Sequence, residues 1–338
     1  RAPRRPRTVF LGGGTPSLLP RPLLARLLDG LHERTGFRDS AGEVTAECNP
    51  ESLDADQARA LLDLGVGRLS IGFQSLHDEV LALLGRVHDA ADSFRAYEAA
   101  RRAGASAVNV DLIYALPAQD PATWAADLAR VLALEPDHVA AYSLAFEEGT
   151  PFSRWLETGR LQRLDEEREL ELFWLTRELL EGAGLEAYEV SNFSPERHQC
   201  IHNVNYWENG PYVGLGPSAV SGWGRTRRGN VRSVGEYRRR MDAEGDAAAW
   251  SEALPPLDRL GETWWLGLRT TRGVDPEAAR RSAGLEPGEE DPIRPIAARL
   301  VEQGLLEWAG PRVRLTRAGL PVADAVAREF LGLAQGVG

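Results

Sequence analysis

Residues 7–190 alternate short strand-like segments with longer helix-like segments, and this alternation constrains the fold more than any other feature of the sequence. The strand-like segments are apolar runs that end in glycine or polar residues, whereas the helix-like segments repeat leucine or alanine every three or four positions. Such alternation predicts a parallel sheet, either open or rolled into a barrel. About six strand–helix units are visible, fewer than the eight of a complete TIM barrel. The predicted strands are RTVFLGGG (7–14), EVTAE (43–47), GRLSIGFQ (67–74), AVNVDLIY (107–114), HVAAYSL (138–144) and EAYEV (186–190).

The pattern changes after residue 190. Residues 191–240 are rich in Asn, Gly, Pro and aromatic residues, and the stretch 244–256 has the composition of a linker. Residues 251–338 predict helices, two short strands around a turn and a final helix, which is a winged-helix-like order. The sequence therefore predicts a partial α/β barrel over 1–190, a connecting segment over 191–250 and a small α+β domain over 251–338.

Composition excludes several kinds of chemistry. All 39 basic residues are Arg, which excludes Schiff-base catalysis on lysine and the lysine of a Walker-type phosphate loop. Two cysteines are too few for a disulfide scaffold or a self-sufficient iron–sulfur cluster. The net charge of −11 disfavours binding to nucleic acid. Without a long apolar run or a signal peptide, the sequence predicts a cytoplasmic protein with no stable membrane insertion.

Polar residues follow several predicted strands, at the ends where parallel α/β folds bind ligands. Glu47 can accept hydrogen bonds from an ammonium group, and Arg86 can grip a carboxylate, so the pair fits a free amino acid. Gln74 and Asp111 suit the two hydroxyls of a ribose. Taken singly, each residue has an ordinary interpretation as part of a turn or a solvated loop. Together they suit S-adenosylmethionine (SAM), or as easily another nucleotide. The full set is Gly12, Gly13, Gly14, Thr15, Glu47, Gln74, Arg86, Asp111 and Ala145.

The ordered series of motifs resembles the radical-SAM proteins of the coproporphyrinogen-oxidase-like group, and in particular the HemW-type heme chaperones. The resemblance covers essentially the whole chain. It is carried by VFLGGGTPSLL, EVTAECNPESL, RLSIGFQSLHDEVLALLGRVHD, NVDLIYALP, YSLAFEEGTPF and YEVSNFSPERHQCIHNVNYWENGPYVGLGPSA.

The resemblance implies a role for each strand-end residue. Gly13, Gly14 and Glu47 would hold the methionine ammonium, with Thr15 in the same GGGTP turn. Arg86 would hold the carboxylate. The ribose and adenine contacts would come from Gln74, Asp111 and Ala145.

The sequence departs from the family at two points. In the complete family proteins a CxxxCxxC loop before the GGGTP strand holds a [4Fe–4S] cluster that binds SAM, and that loop is absent here; Cys48 and Cys200 lie elsewhere. A shortened chain and a natural paralogue without a cluster both explain this, and we favour the first. The second departure is Val220, which stands in GPSAVS where the family commonly has His.

His202, Asn203, Tyr206 and Trp207 form the HNxxYW motif that resembles the heme-associated signature of the family. A histidine or a cysteine thiolate can ligate heme iron, and aromatic rings can pack on the macrocycle. Cys200 and His202 are two residues apart, so in an extended segment both would face one pocket. The alternative is that the aromatic residues of this motif pack domains together. The remaining histidines (His32, His77, His88, His138 and His198) are expected at the surface.

Three functions follow from these features. The first is a heme chaperone that binds heme and passes it to heme-requiring proteins, with SAM and the cluster as accessories. The second is an oxygen-independent coproporphyrinogen III oxidase of porphyrin biosynthesis. The third, a winged-helix nucleic-acid binder, is disfavoured by the acidic charge and the lack of a basic recognition helix. The sequence is compatible with a homodimer. It does not decide whether the chain is an enzyme.

Overall fold

The computed structural model describes residues 5–286 and 291–332, and it divides into two compact units. The first unit runs to His202 and the second begins at Asn203. The predicted three-part division, with boundaries after residues 190 and 250, stays a prediction.

A six-stranded sheet forms the centre of the first unit, with the strands in sequence order. The first five strands are parallel and the last pair is antiparallel. Helices follow the parallel strands, as the alternation predicted, and the open (β/α)-type sheet is confirmed. The strands are β1 (Thr8–Leu11), β2 (Glu43–Cys48), β3 (Arg68–Gln74), β4 (Ala107–Tyr114), β5 (His138–Ser143) and β6 (Asn192–Phe193).

Several helices of this unit begin at a side chain that accepts a hydrogen bond from one of the first amide groups of the helix. Asp54, Asp89, Asp120 and Asp165 each accept a hydrogen bond from the backbone N–H three residues later. The helices are α1 (Arg21–Thr35), α2 (Phe37–Ser40), α3 (Ala55–Asp63), α4 (Asp78–Leu83), α5 (Ala90–Ala103), α6 (Pro121–Leu132), α7 (Pro151–Glu157) and α8 (Glu166–Gly182).

The two faces of the sheet differ in chemistry. One face contributes apolar side chains such as Leu69, Ile71 and Val110 to a core that also contains Leu28 of α1 and Trp124 of α6. The opposite face presents polar side chains at alternate positions of the same strands, because successive residues of a strand point to opposite sides. These inward polar positions include Thr45, Glu47, Ser70, Asn109, Asp111 and His138.

The prediction of the sixth strand was wrong in position and direction. Residues 186–190 form no strand, and Ala187 makes an isolated bridge to Phe193. The chain instead folds back on itself around Glu189, whose buried carboxylate accepts a hydrogen bond from Ser191 N at 3.1 Å. This reversal brings Asn192–Phe193 against β5 in the antiparallel sense.

The second unit contains two small antiparallel sheets, one of three strands and one of two, and its helices follow a winged-helix-like order, as predicted. Its core includes Trp264 and Phe330, whose rings stack at 5.0 Å. The predicted linker over 244–256 was wrong, because this stretch supplies a strand of the three-stranded sheet. The elements are α9 (Ile201–Trp207, which begins in the first unit), β7 (Val220–Trp223), β8 (Thr226–Asn230), α10 (Val234–Glu244), β9 (Ala248–Ala253), α11 (Pro256–Gly267), α12 (Pro276–Ala283), α13 (Ile293–Glu302), β10 (Leu306–Ala309), β11 (Arg312–Leu315) and α14 (Ala323–Arg328).

Across the described ranges, we find no helix that combines the length and the apolar character needed to cross a bilayer.

Strand β1 lies at the edge of the sheet, so we expect its amide hydrogens to exchange faster than those of the central strands. Hydrogen–deuterium exchange should show protection factors for Thr8–Leu11 at least about 100-fold below those of Arg68–Gln74. Equal protection of the two strands would contradict an open edge at β1.

Candidate functional site

The carboxyl ends of the parallel strands bring together the glycine turn and two acidic residues. Leu11 pairs with Ala46 in the register of β1 and β2, which places the turn that follows Leu11 beside Glu47. Asp111 of β4 pairs with Gly72 on one side and with Ala140 on the other. Asp111 is therefore flanked by two small residues on the polar face of the sheet.

Glu47 is tied to the glycine turn. The Gly13 N–H donates to Glu47 Oε2 at 3.1 Å. Gly13 and Gly14 have φ angles of 75° and 63°, a left-handed conformation that favours glycine. A Cβ atom at Gly12 would lie 2.8 Å from the Phe10 ring and 3.1 Å from the Glu47 carboxylate, so only glycine fits this approach. Burial raises the pKa of Glu47, and the hydrogen bond from Gly13 opposes that rise.

Two neighbouring side chains fix the position of the Asp111 carboxylate. Ser70 Oγ lies 3.1 Å from Asp111 Oδ2, and Asn109 Nδ2 donates to Asp111 Oδ1 at 2.7 Å. Burial raises the pKa of Asp111 to about 6, against the lowering effect of these hydrogen bonds, and the charge of Glu47 raises it further. Asp111 is thus a carboxylate at neutral pH that holds its proton more tightly than an exposed aspartate.

Gln74 approaches the same site from β3. The register of β3 and β4 shifts between Gly72 and Gln74, and Gln74 has a φ of 64°. Its Nε2 would lie 2.7 Å from a Cβ atom at Gly72, so the amide folds back over that glycine. Because Gly72 is the register partner of Asp111, the Gln74 amide lies beside the strand pair that carries the carboxylate.

The remaining predicted residues lie around this edge. Asn49 Nδ2 donates to Thr15 Oγ1 at 3.1 Å and so joins the glycine turn to the end of β2. Arg86 follows α4, is half-buried, and has no hydrogen bond or ion pair through its guanidinium within residues 5–286 and 291–332. Ala145 is exposed just after β5. The structure gives no contact that joins Arg86 or Ala145 to Glu47 or Asp111.

Cys200 and His202 lie at the opposite, amino end of the strands. Glu43, the first residue of β2, accepts hydrogen bonds from the Ile201 and His202 N–H groups, both at 3.0 Å. The buried Cys200 thiol also donates to the Glu43 carboxylate, at 3.4 Å. These contacts hold the start of α9 at the amino end of β2, away from Glu47 and Asp111.

The His202 ring is fixed by β1. Its Nδ1 lies 2.8 Å from Thr8 Oγ1, and the ring stacks on Phe10 with centroids 4.9 Å apart. Desolvation lowers the pKa of His202, while the charge of Glu43 opposes the change. The imidazole is therefore neutral at physiological pH, the form that can ligate a metal.

The expectation of an extended segment at Cys200 and His202 was wrong. Residues Ile201–Trp207 form helix α9, because the Glu43 carboxylate binds its first amide groups. Tyr206 and Trp207 belong to the second unit, where Tyr206 packs edge-on against Tyr212 at 4.9 Å. The Arg269 guanidinium lies 5.2 Å from the centre of the Trp207 ring.

Two histidines that were expected at the surface are buried. His88 is 4% exposed and its Nδ1 lies 3.2 Å from Glu51 Oε2. His138 is 1% exposed and lies on the polar face of β5, beside Asn109. Polar and apolar residues alternate in β4, but β5 (HVAAYS) has no such alternation, so its own sequence does not mark His138 as an interior residue.

The cysteines do not fit a [4Fe–4S] cluster. Cys48 ends β2 and Cys200 contacts the residue that begins β2, so the two buried thiols lie at opposite ends of one strand. Burial raises the pKa of Cys48 to about 12, which keeps it a thiol. Over the residues that the structure covers, no cluster of three or more His, Cys, Asp or Glu side chains could hold a metal ion.

Val220, the second departure from the family pattern, is the first residue of β7 and pairs with Gly229 of β8. Its carbonyl oxygen would lie 2.2 Å from a Cβ atom at Gly214, so the backbone here packs directly against a glycine.

A parallel sheet with a glycine turn and two acidic residues toward its carboxyl edge gives this chain the α/β fold of the radical SAM class. Consistent with this, the model of the Radical SAM superfamily matches residues 1–131. In fold, the chain is similar to coproporphyrinogen III oxidase (HemN) from Escherichia coli, with a TM-score of 0.81. That match has 23% sequence identity and covers 97% of this chain and 78% of the other.

Sequence comparison is more specific. The chain is 32% identical over 327 residues to the heme chaperone HemW of Bacillus subtilis (strain 168), covering 96% of this chain and 86% of that protein. It is 34% identical over 325 residues to heme chaperone HemW of Mycobacterium tuberculosis (strain ATCC 25618 / H37Rv), covering 96% and 80%. It is also 33% identical over 348 residues to radical S-adenosyl methionine domain-containing protein 1, mitochondrial, of Bos taurus, covering 98% and 77%. The chain belongs to the HemW heme chaperone family.

The raised pKa of Asp111 predicts a pH-dependent effect of the substitution Asp111→Asn. The folded state binds the Asp111 proton more tightly than the unfolded state, so ionisation lowers wild-type stability as the pH rises from about 4 through about 6. Asparagine does not ionise. Relative to wild type, Asp111→Asn should therefore gain roughly 1–3 kcal/mol in the free energy of unfolding between pH 4 and pH 7.

Urea unfolding at a series of pH values measures this gain. Asp56→Asn, at an exposed position of α3, is the control for the loss of one charge. A difference between Asp111→Asn and wild type that stays constant over this pH range would contradict the prediction.

Proposed function

We propose that this chain is a heme chaperone that binds heme and delivers it to heme-requiring acceptor proteins, and that its first unit binds SAM. The similarity to proteins named heme chaperones, over most of both chains, is the observation that carries the proposal. The neutral, fixed His202 imidazole supplies a residue suited to the task.

We assign each part of SAM to residues near the carboxyl ends of the strands according to their hydrogen-bonding groups and charge. Glu47 accepts hydrogen bonds from the methionine ammonium, next to the Gly13–Gly14 turn and Thr15. Asp111 and Gln74 bind the ribose hydroxyls on the polar face of the sheet. Arg86 pairs with the methionine carboxylate, and Ala145 contacts the adenine.

The residues of this chain that the structure describes do not provide a site for the [4Fe–4S] cluster of the superfamily. In the radical SAM superfamily, a [4Fe–4S] cluster and SAM together supply radical chemistry. The two buried thiols of this chain do not provide the clustered thiolates that such a site needs. We therefore assign SAM binding to the described residues and no radical step.

For heme, we assign the axial ligand to His202 in preference to Cys200. The Cys200 side chain is buried and donates to Glu43, whereas His202 is half-buried and neutral. Tyr206 and Trp207 supply aromatic surface for the macrocycle. The alternative function, oxygen-independent coproporphyrinogen III oxidation, is supported by fold similarity to HemN alone.

Hemin titration followed at the Soret band tests the heme ligand. His202→Ala should weaken hemin binding about 10-fold or more and shift the band, because the axial ligand is lost. Cys200→Ala should leave both unchanged. His198→Ala is the matched control, because His198 also lies near the amino ends of the strands and pairs with Asp137 at 3.4 Å. Wild-type affinity and band position in His202→Ala would assign heme to another site.

Calorimetric titration with SAM and with adenosine tests the strand-end site. Glu47→Gln should weaken SAM binding about 10-fold or more, because an amide replaces the charged partner of the ammonium. Adenosine has no ammonium group, so its affinity should not change. Glu33→Gln, exposed on α1, is the control. Equal losses for SAM and adenosine would show that Glu47 does not recognise the methionine group.

A further inference from the structure

A continuous series of hydrogen-bonded side chains runs from Asp111 through the interior of the first unit toward the amino end of the sheet. We call it the interior polar row. The residues of the row farther from Asp111 are buried from solvent: Asn109, His138 and Tyr188 are 4%, 1% and 5% exposed. The row consists of Asp111, Ser70, Asn109, His138 and Tyr188.

The charge of Asp111 sets the orientation of the Asn109 amide. An ionised carboxylate only accepts hydrogen bonds, so Asn109 must turn its NH2 group toward it. Both amide hydrogens are used, one on Asp111 Oδ1 at 2.7 Å and one on Ser70 Oγ at 2.6 Å. The Ser70 hydroxyl is then left to donate to Asp111 Oδ2. The amide oxygen of Asn109 consequently faces away from Asp111.

His138 holds that orientation from the other side. Its Nδ1 lies 2.6 Å from Asn109 Oδ1, so Nδ1 must carry the proton that the amide oxygen accepts. Desolvation lowers the pKa of His138 well below its usual value, so the ring is neutral and carries one proton. Nε2 is therefore an acceptor.

Tyr188 completes the row. Its hydroxyl lies 2.9 Å from His138 Nε2 and must donate to it, since that nitrogen has no proton. The same oxygen accepts the Cys200 N–H at 3.4 Å. Each of these hydrogen bonds, from the Cys200 N–H to the Asp111 carboxylate, therefore has a defined donor and a defined acceptor.

We propose that Asn109, His138 and Tyr188 are positioning residues that hold the Asp111 carboxylate in the orientation that binds the ribose hydroxyls. This inference rests on the proposed SAM site. Asn109 contacts Asp111 directly, and His138 acts through Asn109 by excluding the flipped amide, which would place its oxygen against the carboxylate.

The test compares two substitutions at one buried position. His138→Leu removes the donor to Asn109 Oδ1, so the amide orientation is then held only by Asp111 and Ser70. His138→Asn keeps a donor, because the asparagine Nδ2 occupies nearly the place of the histidine Nδ1. Each protein is titrated with SAM and with its 2′-deoxyribose analogue, and the ratio of the two dissociation constants reports recognition of the ribose hydroxyl.

In wild type, we expect the analogue to bind about 10-fold more weakly than SAM, the usual effect of losing a hydrogen bond to a charged group. The ratio should fall to about 3 or less in His138→Leu and should be largely restored in His138→Asn. A purely structural role would weaken both ligands equally and leave the ratio unchanged, which would overturn the positioning role.

The outcomes separate this inference from the SAM proposal. If wild type binds both ligands equally or neither, the ribose role of Asp111 fails and the positioning role fails with it. If wild type discriminates and His138→Leu discriminates equally, the ribose role stands and the positioning role is wrong. Should His138→Leu not fold, Tyr188→Phe removes only one hydroxyl and is expected to lower the ratio by a smaller factor.

Nitrogen NMR of 15N-histidine-labelled wild type gives an independent readout. We expect His138 to show a protonated Nδ1 and an unprotonated Nε2 throughout roughly pH 6–8. A protonated Nε2 would reverse the direction of the interior polar row and overturn the proposal without reference to ligand binding.

Discussion

Parallel pairing of β1 to β5 places their carboxyl ends at one edge of the sheet and their amino ends at the other. The glycine turn, Glu47 and Asp111 meet because of this pairing, although they are separated by tens of residues in sequence. The same pairing brings Thr8 beside Glu43, and these two residues hold the start of α9. The proposed SAM site and the proposed heme ligand His202 thus lie at opposite ends of the same strands.

A sheet with one polar face gives up part of the stabilisation that a fully apolar interior would provide. Thr45, Ser70, Asn109 and His138 occupy positions where valine or isoleucine would bury more apolar surface. For the row from Ser70 to His138, hydrogen bonds compensate the cost of burial and leave the side chains few alternative orientations. Such fixed dipoles need little reorganisation when a ligand binds, and this is a physical reason for a binding protein to retain them.

Much of this architecture could be predicted from the sequence. Helical spacing and terminal glycines predicted the strand–helix order and the open sheet, because both signals are local. Glu47 could be placed near the end of β2 and Asp111 within β4 for the same reason. The sequence could not show that Glu43 caps α9, because the two are separated by more than 150 residues and only the folded sheet brings them together. β6 was misplaced because a two-residue strand has no periodicity to detect, and its direction depends on a turn around a buried glutamate. His138 was missed because one histidine in a short apolar run does not reveal which face of the sheet it occupies.

The two cysteines give the first unit a pair of built-in chemical probes. Cys48 is 3% exposed at the carboxyl end of β2 and Cys200 is 2% exposed near its amino end. Neither thiol can react with an alkylating reagent until the structure around it opens. The rates at which the two sites are labelled therefore report separately on local opening beside the glycine turn and on release of the α9 start from Glu43. Ligands that bind at one end of the strands can be recognised by which of the two thiols they protect.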